Sequence, residues 1–242
     1  MEEQKLVIQE RKLSVGDGLI GMLHAFVDPK GTAKRIPAPL SWLWPSILLV
    51  LIYAVVSFLL APYAISFADA QIAQRGLPPE QMETARRLAH TISQITPVVT
   101  PVFVLLFLAL FAWLVGVTGS IVGLRTKFRD VFSLMAACGL INALQSIATL
   151  IVVRAKGDEV TSQEQLTPPF GLDIFLPDIH GTLLAAVNFF SIFELWYLVV
   201  FTIGYAALAK TSKGKAFFAI SLTWIIPLLI KIGQAMLQPT GS

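Results

Sequence analysis

Glu194, within Phe193-Glu194-Leu195-Trp196, is the residue of this chain best placed to do chemistry, because it falls in a long apolar run near the middle of an expected membrane span. Insertion scales put Asp, Lys and Arg at about 2.5 to 3.5 kcal/mol at the centre of a bilayer helix, so a charged group there needs a reason. Each Leu, Ile, Phe or Val returns about 0.3 to 0.6 kcal/mol, and the run around Glu194 holds enough of them to insert. Proton or cation handling is one reason for such an acid. A structural carboxyl, hydrogen-bonded to Asn142, Gln145 or Asn188 inside a helix bundle, is the other. Asn142 and Gln145 lie three residues apart and share a helix face. One acid with no basic partner in the membrane makes a poor relay, which favours the structural role.

Other chemistries find no support. The three histidines, His24, His90 and His180, lie outside the apolar runs, and none forms a His-Glu-x-x-His pair, so no zinc hydrolase is expected. There is no Gly-x-Ser-x-Gly elbow. Lys210-Thr211-Ser212-Lys213-Gly214-Lys215 loosely resembles a phosphate loop but lacks its first glycine and its final Ser/Thr, and it reads better as a basic turn. The single cysteine, Cys138, excludes an intramolecular disulfide and a cysteine-rich metal site. No cofactor is expected and no enzymatic activity.

These residues sit in a chain of 242 residues that is 55% hydrophobic and only 14% charged. Soluble domains carry about 25% charged residues, so the deficit points to a membrane. Lipid offers nothing to an unpaired backbone group, and a hydrocarbon layer about 30 Å thick takes about 20 apolar residues as a helix. Five segments reach that length, at about 42–65, 97–122, 131–153, 182–208 and 216–237. The expected fold is therefore an all-α polytopic bundle of about five transmembrane helices (42–237) behind a cytoplasmic N-terminal segment (1–41). That segment mixes acids and bases and does not resemble a cleavable signal peptide, so it is expected to be retained.

Lysine and arginine set the orientation, because they are enriched in cytoplasmic loops. Lys5, Arg11, Lys12, Lys30, Lys34 and Arg35, then Arg125, Lys127 and Arg129, then Lys210, Lys213 and Lys215 fall on one side of five spans. The other side holds Arg75, Arg86, Arg87, Arg154, Lys156 and Lys231. Twelve against six places the N-terminus inside and the C-terminus outside. Such clustering marks topology, and nucleic-acid binding is not expected. The acids Asp158, Glu159, Glu164, Asp173 and Asp178 fall in an outer loop.

Smaller features complete the reading. Leu19, Ile20, Leu23, Phe26 and Val27 form one apolar stripe, suited to the membrane interface or to packing on the bundle's own cytoplasmic loops. Pro78-Pro79 followed by Met82, Ala85, Ala89, Ile92 and Ile95 predicts a short external amphipathic helix leading into the second span, with Arg86 and Arg87 on its other face. Gly119 and Gly123 form a small-xxx-small pair that permits close helix approach, within the chain or in a homo-oligomer. Pro227 should bend the last span, and Lys231 can reach the outer interface.

The run from Phe193 through Trp196 and Gly204 to Tyr205, followed by Thr211-Ser212-Lys213-Gly214-Lys215-Ala216, resembles the Yip family of multispanning proteins in its bacterial branch. Phe26-Val27-Asp28-Pro29, with Pro39, Trp42 and Pro45 before the first span, is similar to that family's N-terminal region. The resemblance implies five spans with the N-terminus inside, residence in a bacterial cytoplasmic membrane, and no assigned catalytic residues. Eukaryotic members bind Rab-type GTPases, but this chain lacks their Asp-Leu-Tyr-Gly-Pro motif. The function expected is that of a non-enzymatic membrane protein that organises membrane or binds a protein partner. Its working surface would be a basic cytoplasmic face (Arg125, Lys127, Arg129, Lys210, Lys213, Lys215) meeting membrane lipid or an acidic partner. The alternative is a small transporter or channel using Glu194, Asn142, Gln145 and Asn188.

Overall fold

The computed structural model describes residues 15–38, 40–156, 171, 187 and 191–237. Seven helices run in chain order: α1 (Val15–His24), α2 (Pro29–Arg35), α3 (Leu43–Gln74), α4 (Pro79–Ile121), α5 (Phe128–Lys156), α6 (Ile192–Leu208) and α7 (Lys213–Leu237). Among the described residues there is no strand, only an isolated bridge between Gly171 and Ser191. Asn188, His180, the first 14 residues and the acids from Asp158 to Asp178 lie outside the described residues.

Four helices, α3, α4, α5 and α7, are long and apolar enough to cross a membrane, and α6 is a shorter apolar helix of 17 residues. The outward faces carry large apolar side chains. On α4 the exposed series Val98, Val102, Leu106, Leu110, Trp113, Val117 and Ile121 recurs at intervals of three and four, one stripe along one face. A soluble protein rarely leaves so large an apolar patch in water, whereas lipid tails solvate it. The centre of the bundle is α5. Over half of its apolar window (56%) is buried, against 11–22% in the other long helices. Its small residues Ala136, Ala137, Gly139 and Ala143 permit that enclosure by letting neighbouring backbones approach.

Glycine does the same on neighbouring helices. A Cβ on Gly204 would stand 2.8 Å from Leu134 Cδ1, so α6 lies directly on α5 there. A Cβ on Gly119 would meet the Tyr205 hydroxyl, so this half of the small-residue pair is used within the chain. Gly123 serves differently, as the left-handed residue (φ +76°) that ends α4, with Leu124 N–H donating to Gly119 O at 2.8 Å. The turn after α6 repeats this geometry with Lys210 at φ +50°, where Thr211 N–H donates to Ala206 O at 2.9 Å.

Several boundaries differ from the sequence expectation because apolar length measures lipid thickness and not helix length. The helix expected after Pro78-Pro79 does lead into the second span, but without a break: it continues through Pro97 and Pro101 as one α4 of 43 residues. Its Thr91 and Thr96 hydroxyls donate to carbonyls four residues back, at 2.9 and 2.7 Å. Met82, Ala85 and Ala89 are partly covered, whereas Ile92 and Ile95 are exposed. α3 likewise runs on to Gln74, where Asp69 meets Arg86 and His90 of α4 at 3.7 and 3.4 Å.

The N-terminal stripe is also divided. Asp28 caps α2 by accepting from Gly31 N at 2.8 Å with Pro29 in the first turn, and Thr32 Oγ1 donates to Gly21 O at 2.8 Å, which locks α1 and α2 into a hairpin. Met22 and Ala25 are buried, while Ile20, Leu23 and Val27 are exposed. Met22 shares a core with Leu49, Ala136, Leu140 and Ala143, so the hairpin packs on the helices themselves, two to three turns inside α5, and not on the loops.

Candidate functional site

Ser191 decides where Glu194 stands. Its hydroxyl accepts from Glu194 N–H at 3.0 Å and donates to Gln145 Oε1 at 3.1 Å, capping α6 and tying its start to α5. Glu194 therefore occupies the first turn of α6, where the helix dipole favours an acid. The signal was Ser191-x-x-Glu194, the spacing of a capping box. The expected partners divide accordingly. Asn142 lies against the Glu194 carboxylate, and Gln145 serves Ser191 instead.

The strongest partner of Glu194 is one that sequence pattern alone did not single out. Trp224 Nε1 of α7 donates to Glu194 Oε1 at 2.8 Å. Trp224 is held by rings: Tyr197 at 5.6 Å, Phe111 at 5.8 Å and Phe201 at 6.5 Å between centroids. Tyr197, Phe201 and Tyr205 stack at four-residue intervals along α6, which is why one face of that helix is aromatic.

Around this pair opens a cavity of about 330 Å³ to which five helices contribute: Tyr53 of α3, Phe107 and Phe111 of α4, Asn142 of α5, Glu194 and Tyr197 of α6, and Trp224 of α7. Tyr53 also bonds Ser146 on α5 and faces Glu194. Asn142 Oδ1 is buried with no hydrogen-bond partner among the described residues. Among the described residues no group of three metal-ligating side chains exists, and the cavity holds no nucleophile paired with a base.

A second set of candidate residues gathers at one end of the bundle. The two left-handed turns bring the loop after α4 and the turn after α6 side by side. A Cβ on Gly123 would lie 3.9 Å from Lys215 Nζ, and Tyr205 bonds Thr126 across the gap. Arg125, Lys127, Arg129, Lys210, Lys213 and Lys215 are all exposed. Arg129 reaches Asp130 at 3.4 Å, and among the described residues no acid pairs with the other five.

Apolar helices of membrane-crossing length, lipid-facing flanks and a largely apolar cavity between helices that holds a single acid define a multispanning α-helical membrane protein. The model of the Yip1 domain matches residues 23–233, nearly the whole chain, and the protein belongs to that family. The matched region takes in both segments that carried the resemblance, and Phe26 of the first touches Trp196 of the second with ring centroids 5.8 Å apart. Neither the curated proteins nor the solved structures compared with the chain include a match.

Proposed function

We propose that this Yip family member acts without catalysis, organising the bacterial cytoplasmic membrane or holding a partner there through its basic end, which faces the cytoplasm. The observation that carries this reading is the convergence of Arg125, Lys127, Lys210, Lys213 and Lys215 on one end, exposed and without acids to neutralise them among the described residues. Five unpaired cations at a lipid boundary attract anionic headgroups or an acidic protein surface. The exposed Ile20, Leu23 and Val27 beside exposed Lys30 and Lys34 support the same orientation, because an apolar edge with lysines above it suits the cytoplasmic interface. With α6 read as the fourth of five crossings, the basic loops fall on the side of the N-terminus, and the cytoplasmic bias of Lys and Arg supports an N-terminus inside.

The test is to exchange Lys213 and Lys215 for glutamate and measure co-purifying anionic lipid together with cross-linked protein partners. Each basic residue near an anionic surface contributes about 1 kcal/mol, so losing two attractions lowers association by about 30-fold or more. Unchanged association would defeat the proposal. A second reading, a small transporter or channel, draws on the cavity at Glu194 and Asn142; proton or cation flux in proteoliposomes that Glu194→Gln abolishes would favour it.

A further inference from the structure

The cavity around Glu194 presents a one-sided chemistry. Its lining includes no lysine or arginine. The indole N–H of Trp224 and the side chain of Asn142 are already turned to the Glu194 carboxylate. What remains unanswered is acceptor capacity: Asn142 Oδ1 has no partner among the described residues, and a carboxylate has about four lone-pair sites, of which these two contacts use only part. A buried polar group without a partner calls for an explanation, and an acceptor is answered only by a donor. The remaining wall is apolar, with the rings of Tyr53, Phe107, Phe111, Tyr197 and Trp224 set among aliphatic side chains such as Leu49 and Met135, and ring faces attract cations.

The geometry points to a binding site for a primary ammonium carried on an apolar or aromatic body, with its N–H groups on Glu194 and Asn142 Oδ1 and its body against the rings. A quaternary ammonium would satisfy the rings but has no N–H for Asn142. An alcohol could donate to Asn142 but would not balance the acid. Ammonium and carboxylate together bring no net charge into lipid, which is how paired groups are accommodated there. The site lies 14 residues along α6 from its basic end, roughly 21 Å away, so it is separate from the basic face. It deepens the transporter reading by naming the ligand, and rests on that reading's residues but not on movement of the ligand.

The ammonium could belong to a free lipophilic amine or to the ethanolamine headgroup of a membrane lipid. The full-length chain in phosphatidylcholine nanodiscs is titrated with 2-phenylethylamine, with 2-phenylethanol and with trimethyl(2-phenylethyl)ammonium, following saturable binding by calorimetry. The amine should bind most tightly, and both the alcohol and Glu194→Gln with the amine should show an affinity about 10- to 100-fold weaker, as expected for a lost charge-assisted hydrogen bond. Asn142→Leu should weaken the amine but leave the trimethylated probe unchanged. Equal binding of amine and alcohol, or tighter binding of the trimethylated probe, would overturn the site without any variant having to fold. Repeating the titration with phosphatidylethanolamine in the disc identifies the source: competition marks the lipid, no competition a free amine, and both retain the ammonium site. Binding without flux in proteoliposomes would remove transport and leave the site standing.

Discussion

Phe201→Ala tests whether the aromatic ladder of α6 is the core that holds the cavity together. Phe201 is fully buried, with Tyr197, Tyr205 and Trp224 around it. In water such a truncation costs about 3 to 5 kcal/mol, part of it the transfer of the ring away from solvent. In a bilayer most of that transfer contribution disappears, because the separated helix would expose the ring to lipid that is as apolar as the core. The cavity contribution survives: at about 24 cal/mol per Å³, and with roughly 100 Å³ vacated, it amounts to about 2.4 kcal/mol. Lost ring pairing adds about 0.5 to 1.5 kcal/mol. The expected cost is therefore about 3 to 4 kcal/mol, read as a shift in reversible unfolding from mixed micelles. Phe58→Ala is the internal standard. Phe58 is 68% exposed toward lipid and should change stability by less than about 0.5 kcal/mol, as most surface changes do. Equal costs for the two residues would refute the assignment of inside and outside.

Lys210→Gly should stabilise the fold by about 1 kcal/mol, because a left-handed residue other than glycine carries a steric penalty, and thermal unfolding in detergent would show it. The same change should weaken anionic-lipid association, separating stability from binding at one position. Gly204→Leu, forced into the fully buried Leu134, should cost about 2 kcal/mol or more in the same unfolding assay, whereas Gly116→Ala, with open space beside it, should cost nothing measurable. Because Cys138 is buried, single cysteines at Lys127 and Gly76 can be labelled against a silent background; an impermeant maleimide should reach Gly76→Cys from outside the cell and Lys127→Cys only after permeabilisation. Labelling of both from the same side would reverse the topology argument.

The helical bundle was legible in the sequence because lipid imposes one rule, apolar length, that acts on local residues. The ends of α5 and α7 came within three residues of the expected 131–153 and 216–237 for that reason. The rule is blind outside lipid, so the extension of α3 to Gln74 was hidden, whereas the start of α4 at Pro79 shows in Pro78-Pro79 and the helical spacing after it. Polarity marked Glu194, Asn142 and Gln145, but contacts depend on how helices face one another. Trp224 looked like one more apolar residue of the last span until its N–H was seen on Glu194. The Ser191 cap was readable and would have moved Glu194 to a helix start, had local capping been weighed against the continuous apolar run across 182–208.

One consequence lies in the length of α4. Its 43 residues make a rod of about 64 Å, twice the thickness of the hydrocarbon layer, with Pro97 and Pro101 near the point where it leaves the lipid. The arm that starts at Pro79 is tied to α3 through Asp69, Arg86 and His90, and the arm beyond the prolines lines the cavity with Phe107 and Phe111 on its way to Ile121. The two prolines leave carbonyls without their usual donors, so the rod bends most readily there, between the arm anchored on α3 and the arm that lines the cavity.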